Sequence, residues 1–299
     1  MAMYKKIEPW GVNVPFIYLS IFYWVIGAIS LLIPQVHNQH PYFMMIGSYS
    51  LFFGMIQKLF FPAKRYLPLQ VAVLVFATIP IYYSQVFASL FLFIEEIVAL
   101  KDITSYGGRF PINLMVLSSP PLSVIGWIMY PDFRVLIVPL LMYVMGVNIG
   151  VFRATMGTRV IMGVKQIPLM VLVLMVGVIP YLFTIVGVLY SLALINSKVK
   201  FNLSALTTLL SVSIVPLFSL HHEIHAFTLG VMSPLFFSCI TYSLIRKRYD
   251  RVLPMSLLSA LSFFLRPLFL LPSGVPWLIA VIIFLLTIKD RLGVKDIKG

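Results

Sequence analysis

Residues 14–34 read VPFIYLSIFYWVIGAISLLIP, a run of 21 positions without a charged side chain. A helix needs about 20 apolar residues to cross the hydrocarbon core of a bilayer. Hydrophobic residues make up 61% of the 299-residue chain and charged residues 10%, against about 25% in ordinary soluble domains. The sequence therefore predicts an all-α, polytopic transmembrane helical bundle in the cell membrane. Further apolar runs lie at 41–61, 112–130, 133–152, 203–220, 224–245, 253–271 and 274–289.

Two longer apolar stretches leave the number of spans open. Residues 67–101 contain Pro80, and Tyr82-Tyr83-Ser84-Gln85 after it offers a turn. Residues 167–196 contain Pro180, and a proline often ends or kinks a helix. Dividing both stretches places every cluster of Lys and Arg on one side of the membrane, as the positive-inside rule requires. This predicts about twelve spans (10–12) with both termini in the cytoplasm. Leaving 167–196 whole gives eleven, and a re-entrant pair there fits the same charges.

In a soluble protein a net charge of +13 could indicate binding of nucleic acid, but here it has another explanation. The basic residues lie in short loops between apolar runs, where they set the topology and can contact anionic lipid. We therefore expect the lipid bilayer, and no nucleic acid, as a partner. The single cysteine, Cys239, excludes an internal disulfide and a multi-cysteine metal site, and is expected to be a core residue.

All five histidines lie in two short clusters. The first contains His37 and His40, and the second contains His221, His222 and His225. Each cluster has an H-x-x-H core and precedes a long apolar run. In the twelve-span topology both lie on the outer face, at the heads of spans two and ten. Histidine is the commonest protein ligand of metal ions and also binds haem iron, so the pattern favours a metal or haem site.

The segments that follow the two clusters are similar to each other. His40 leads into PYFMMIGSYSLFF, and His225 leads into AFTLGVMSPLFF. Ser48 and Ser233 stand at the same offset from these histidines. We interpret the chain as a single integral membrane domain, 1–299, with an internal repeat at about 14–101 and 203–289. Composition alone is the other explanation of the likeness.

These two motifs resemble those of the NnrS-like membrane proteins, distant relatives of the haem–copper oxidase catalytic subunit. In the first motif, His40 is followed by Met44 and then by two apolar residues and glycine. In the second, HAFTLG from His225 onward is similar to the H-A-x-T-x-G pattern of that group. A further histidine of the family's first motif is Tyr42 here. The chain is also similar to the hydrophobic membrane subunits of archaeal b-type cytochrome respiratory complexes.

The resemblance implies a fold related to haem–copper oxidase subunit I, in which spans two and ten supply the axial histidines of the low-spin haem. It implies a bis-histidine, low-spin haem b whose iron is bound by His40 and His225. The function implied is an electron-transfer subunit of a respiratory complex. Such a subunit passes electrons between quinol and an outer-face redox partner, with other membrane or outer-face redox subunits and the quinone pool as its partners. The copper-binding histidines of the oxidases are absent from spans six and seven, so an oxygen-reducing centre is not expected.

Weaker candidates surround this pair. His37 and His222 could add ligands, and a four-histidine zinc or copper site built from both clusters is the rival interpretation. Arg266 and, less strongly, Arg134 could pair with haem propionates, because guanidinium groups bind carboxylates; an arginine near a span end can instead reach the headgroups.

Glu223 could orient a ligating histidine, although a solvated loop glutamate is the simpler reading. Glu95 and Glu96 fall at the inner end of span four. In a chain with few acidic residues they could serve a proton path, although an interfacial position would make them uninformative.

Two other functions remain open from the sequence. The chain could be a cofactor-free structural membrane anchor, or a metal- or proton-linked transporter, for which few deep polar residues are evident. No nucleotide loop and no nucleophile–base or acidic catalytic pair is apparent, so we expect an electron-transfer or non-catalytic subunit rather than a hydrolase or transferase.

Overall fold

The computed structural model describes residues 10–100, 113–195, 199–219, 222–269 and 271–298. Within these ranges the chain forms helices and turns and no β-strand, which confirms the all-α prediction. Five helical segments in the same ranges are long and apolar enough to cross a membrane, as expected of a membrane protein. They are Asn13–Ser30, His37–Phe60, Tyr82–Ala99, Phe133–Met156 and Glu223–Leu265.

The helices follow the apolar runs of the sequence, with short 3₁₀ turns at several ends. In chain order the α-helices are α1 (Asn13–Ser30), α2 (His40–Phe60), α3 (Leu67–Ala77), α4 (Tyr82–Ala99), α5 (Leu114–Ile128), α6 (Phe133–Met156), α7 (Ile167–Val176), α8 (Phe183–Leu194), α9 (Leu203–Ile214), α10 (Glu223–His225), α11 (Ser233–Ile245), α12 (Val252–Leu265), α13 (Gly274–Ile288) and α14 (Val294–Lys298). A π-helix, Ala226–Met232, connects α10 to α11.

The chain divides into two compact units. The first comprises Met1–Pro111, Pro120–Pro131 and Leu292–Gly299, and the second comprises Ile112–Ser119 and Asp132–Arg291. Each of the two repeats proposed from the sequence lies within a single unit, 14–101 in the first and 203–289 in the second.

In the first unit α1 and α2 pack closely because glycines in α2 admit the side chains of α1. A Cβ at Gly47 would lie 2.6 Å from Cδ1 of Trp24. The indole of Trp24 also donates a hydrogen bond to the carbonyl of Met44, at 3.3 Å. The pair α1–α2 therefore has a fixed register.

The apolar stretch 67–101 forms an antiparallel helical hairpin, as its proline predicts. Helix α3 ends at Ala77 and α4 begins at Tyr82. Across the turn, Ser84 Oγ donates to the carbonyl of Phe76 at 2.7 Å, and the ring of Phe76 stacks on Phe91 with centroids 5.4 Å apart. Farther from the turn, Gln70 on α3 reaches Glu95 on α4. The sequence placed the turn at 82–85, whereas those residues already form the first turn of α4.

In the second unit the stretch 167–196 is also divided near Pro180, as predicted. Helix α7 ends at Val176, and a 3₁₀ turn, Pro180–Leu182, leads into α8. After α8 the chain returns to the loop that precedes α7, where the amide of Arg159 donates to the carbonyl of Leu194 at 2.8 Å. The stretch is therefore a pair of helices whose ends meet.

The basic segment Arg246–Arg251 separates α11 from α12. The backbone leaves the helical region at Arg248, with φ −107° and ψ 22°. The guanidinium of Arg248 donates to the carbonyl of Thr287 at 2.9 Å and pairs with Asp290 at 2.7 Å. These contacts attach the segment to the end of α13.

Candidate functional site

The first histidine cluster lies at the start of α2 in the first unit. His37 is exposed, and its Nδ1 donates to the carbonyl of Pro34 at 2.8 Å. His40 is half-buried, and its Nδ1 lies 2.8 Å from the carbonyl oxygen of Gly27 on α1. A carbonyl only accepts, so Nδ1 carries the proton and Nε2 carries the lone pair. The imidazole of His40 thus has a fixed tautomer and a fixed ring orientation.

Aromatic residues that were not singled out from the sequence gather around Tyr42, two positions after His40 in α2. The ring of Tyr42 contacts Trp127 and Tyr130, with centroids 6.2 and 5.2 Å apart. Trp127 also contacts Tyr49 at 5.0 Å. The indole nitrogen of Trp127 is buried and has no hydrogen-bond partner among the described residues. No sequence pattern links Tyr42 to Trp127, because 85 positions separate them.

The second histidine cluster lies at a change of helix type in the second unit. His222 is exposed and precedes a single α-turn, Glu223–His225. The π-helix begins directly after His225, which is half-buried. The motif HAFTLG therefore forms the wide turn of a π-helix, whereas the first motif forms an ordinary α-helix. His221 lies outside the described residues.

Hydrogen bonds and close packing hold the π-helix in place. Ser211 Oγ donates to the carbonyl of Gly230 at 2.8 Å, and Ser233 Oγ donates to that of Thr228 at 2.6 Å. Trp277 Nε1 in turn donates to Ser233 Oγ at 3.0 Å. A Cβ at Gly230 would overlap the side chain of Val215. The backbone after His225 is thus fixed by α9, α11 and α13.

Arg134 lies near the second cluster. Its guanidinium pairs with the carboxylate of Asp132 at 3.1 Å, and its side chain is 53% exposed. It also interacts electrostatically with Glu223. Asp132 accepts from the Arg134 amide at the start of α6, and the hydrogen bonds from Arg134 hold the pKa of this carboxyl below its usual range.

Arg266 follows the last residue of α12 and is half-buried. Two residues before it, Phe264 contacts Phe218 with ring centroids 5.6 Å apart. Phe218 ends the 3₁₀ turn that leads toward the second cluster. Arg266 and Arg134 therefore both belong to the end of the second unit that carries His222 and His225.

Glu95 and Glu96 lie near the end of α4, as expected from the sequence, and their side chains are buried among the neighbouring helices. Their exposed fractions are 0% and 3%. Glu95 Oε1 accepts a hydrogen bond from Gln70 at 3.0 Å, and Gln70 accepts one from the indole of Trp10 at 2.7 Å. The burial of Glu95 could not be predicted from the sequence, because the residues around it come from other helices.

Among the described residues no three His, Cys, Asp or Glu side chains form a group that could hold a metal ion. His37 and His40 belong to the first unit, and His222 and His225 belong to the second. A four-histidine site is therefore not assembled within either unit.

Comparison with known proteins gives no further indication of the family. No family model, no curated protein and no solved structure matches the chain.

Proposed function

We propose that the protein is a haem-b-binding membrane subunit of a respiratory or electron-transfer complex. Its axial ligands are His40 and His225, and it passes electrons between quinol and an outer-face redox partner. The proposal extends the resemblance of the two histidine motifs to NnrS-like proteins.

The observation that carries the proposal is the orientation of His40. A ligating histidine usually donates its other ring nitrogen to a backbone carbonyl or a carboxylate, which fixes the tautomer and raises the basicity of the ligand. The bond from His40 Nδ1 to the Gly27 carbonyl is of this kind.

His225 supports the same proposal through its backbone. π-Helical turns are rare and frequently occur at functional sites. Here the π-helix begins immediately after His225 and is held by Ser211 and Ser233. A wide turn at this point changes the direction in which the side chain of His225 projects, relative to a regular α-helix.

The residues fit a haem chemically. Two imidazoles are suitable axial ligands, and Arg266 and Arg134 supply cations at the His225 end of the second unit for propionate groups. Arg266 is the better of the two, because the guanidinium of Arg134 already pairs with Asp132. When bound, haem b supplies reversible one-electron transfer. The chain's own residues orient the ligands and exclude water.

The proposal includes a topology of about twelve spans (10–12) with cytoplasmic termini and outer histidine clusters, and the count is ten if α7 and α8 form a re-entrant pair. The segment Glu223–Leu265 has 43 residues, about 65 Å of helix at 1.5 Å per residue, which is twice the ~30 Å of a hydrocarbon core. It bends at Arg248 in a basic loop, as two consecutive spans would. Helices α7 and α8 have 10 and 12 residues, which favours a re-entrant pair between 167 and 196.

The test is an absorption spectrum of the complex purified from its native membrane. We expect a Soret band that shifts on reduction by a quinol, and we expect His40→Ala and His225→Ala to abolish it. His37→Ala and His222→Ala are matched controls, because both side chains are exposed, and should keep the spectrum. An unchanged spectrum in either axial variant would refute the ligand assignment.

Proton-linked transport is the second candidate, and one observation favours it over the cofactor-free anchor. The first unit contains buried polar atoms, at Gln57, Glu95 and Glu96, that have no hydrogen-bond partner among the described residues. Buried ionisable groups in membrane helices usually belong to ion or proton sites. Proton flux in liposomes that contain this chain alone would support this candidate, whereas an anchor would give no flux and would tolerate substitution of both histidine clusters.

A further inference from the structure

Helix α4 carries two consecutive buried acids at its end, in a chain with only nine Asp and Glu residues. Glu95 is completely inaccessible, and Glu96 is 3% exposed. Glu95 Oε2 and Glu96 Oε1 have no hydrogen-bond partner among the described residues. Leaving a buried polar atom unpartnered costs about 1–3 kcal/mol, so such atoms call for an explanation.

The hydrogen bonds around Gln70 determine which oxygen of Glu95 accepts. The indole of Trp10 can only donate, so the atom of Gln70 that lies 2.7 Å from it must be the amide oxygen. The amide nitrogen of Gln70 therefore faces the carbonyl of Phe61 at 2.6 Å and Glu95 Oε1 at 3.0 Å. Its two hydrogens are both used, and Glu95 Oε1 is an acceptor.

The carboxyl group of Glu95 has Gln70 as its single partner in the part of the chain that the structure describes. Four ionisable side chains lie at this end, Lys58 on α2 and Lys64, Arg65 and Tyr66 in the 3₁₀ turn between α2 and α3. Lys58 donates to the carbonyl of Trp10 at 3.1 Å, and the guanidinium of Arg65 lies over the ring of Tyr66 at 4.9 Å. None of the four forms an ion pair with Glu95.

A carboxylate buried without a cation is far more costly than a carboxylic acid. The neutral acid also fits the hydrogen bonds, because its carbonyl oxygen can be Oε1 and its hydroxyl can be Oε2. The amide of Gln57 and the amide nitrogen of Asn13 lie at the same end of α2 and α1, and both are buried without a hydrogen-bond partner in the part of the chain that the structure describes.

We propose that Glu95 is a proton-binding residue that holds its proton on Oε2 and exchanges it with the solution on the side of the basic loop between α2 and α3. Gln70, fixed by Trp10, positions the carboxyl group. This site is independent of the proposed haem and uses none of its ligands.

Infrared spectroscopy of the purified full-length protein tests the proposal, because the carbonyl stretch of a protonated carboxylic acid is separate from that of a carboxylate. At neutral pH we expect such a band in the unmodified protein. Glu95→Gln should remove it, and Gln70→Ala should shift it, since the carbonyl oxygen then loses its donor. Transfer to D₂O should also shift it, because a proton that exchanges with solution is replaced by deuterium.

Two matched variants complete the design. Glu96→Gln removes the adjacent buried acid and should leave the band that responds to Gln70→Ala, and Asp250→Asn removes an exposed carboxyl and should change nothing in this region. Absence of the band at neutral pH in the unmodified protein would overturn the proposal. A band that is unchanged in both Glu95→Gln and Gln70→Ala would also overturn the proposal, as would a band that does not shift in D₂O. The unmodified protein and Gln70→Ala keep the test decisive if Glu95→Gln does not fold.

Discussion

Replacement of Gly230 by alanine tests the packing of the π-helix that follows His225. The new Cβ would overlap Cγ1 and Cβ of the Val215 side chain and lie 3.2 Å from its Cγ2, and this side chain is 1% exposed and has little room to move. Overpacking of a core costs typically 1–3 kcal/mol, and because this overlap is large we expect a cost of about 3 kcal/mol for Gly230→Ala. Alanine regains about 1 kcal/mol over glycine in a helix. We therefore expect the free energy of unfolding to fall by about 2 kcal/mol.

The assay is equilibrium unfolding in mixed detergent, followed by circular dichroism. Val215→Ala alone should cost about 2 kcal/mol, from two lost methyl groups and the cavity left behind. In the Val215→Ala background the additional cost of Gly230→Ala should fall but not vanish, because the two methyl groups are gone whereas the Cβ of residue 215 still overlaps the new Cβ. Gly274→Ala is the matched control: a Cβ there has nothing within 4 Å, so we expect no loss of stability. Additive effects of Gly230→Ala and Val215→Ala would refute this packing.

Three further substitutions have distinct expected outcomes. Gly187→Ala should lower the free energy of unfolding by at least as much as Gly230→Ala, because its Cβ would overlap the backbone carbonyl of Val212. Val212→Ala should not restore the lost stability, because it changes the side chain and not the carbonyl. Ser233→Ala should cost about 1–3 kcal/mol, because it removes the acceptor of the hydrogen bond from the buried indole N–H of Trp277. Ser48→Ala breaks only a bond within its own helix and should cost about 0.5 kcal/mol or less. Equal losses from the two substitutions would contradict the role given to Ser233. Asp132→Ala should cost about 1 kcal/mol at neutral pH through the lost cap of α6. Because the folded-state pKa of Asp132 is depressed, this contribution is complete above the usual aspartate pKa and is lost as pH falls through the lowered pKa, so thermal unfolding of the two proteins should converge in acid.

The local features of the fold were predictable from the sequence because their causes are local. The apolar runs give the helices, and Pro80 and Pro180 mark the two breaks in the long stretches. The position of the first turn was misjudged by a few residues, since Tyr82 and Tyr83 are compatible with a helix start as well as with a turn.

The features that depend on distant contacts could not be predicted. Glu95 is buried because Gln70 and Trp10, 25 and 85 positions away, cover it. The π-helix after His225 depends on Ser211 and on the fit of Val215 against Gly230, which no periodicity in HAFTLG reveals. The likeness of the two histidine motifs in sequence therefore does not extend to their backbone conformation.

The central claim is that His40 and His225 bind haem b, and the most direct measurement is the haem and iron content of the complex purified from its native membrane. We expect haem b to co-purify in a fixed ratio with this chain and to be lost from His40→Ala and His225→Ala complexes that still assemble. A fully assembled complex in which this chain carries neither haem nor another metal would contradict the account.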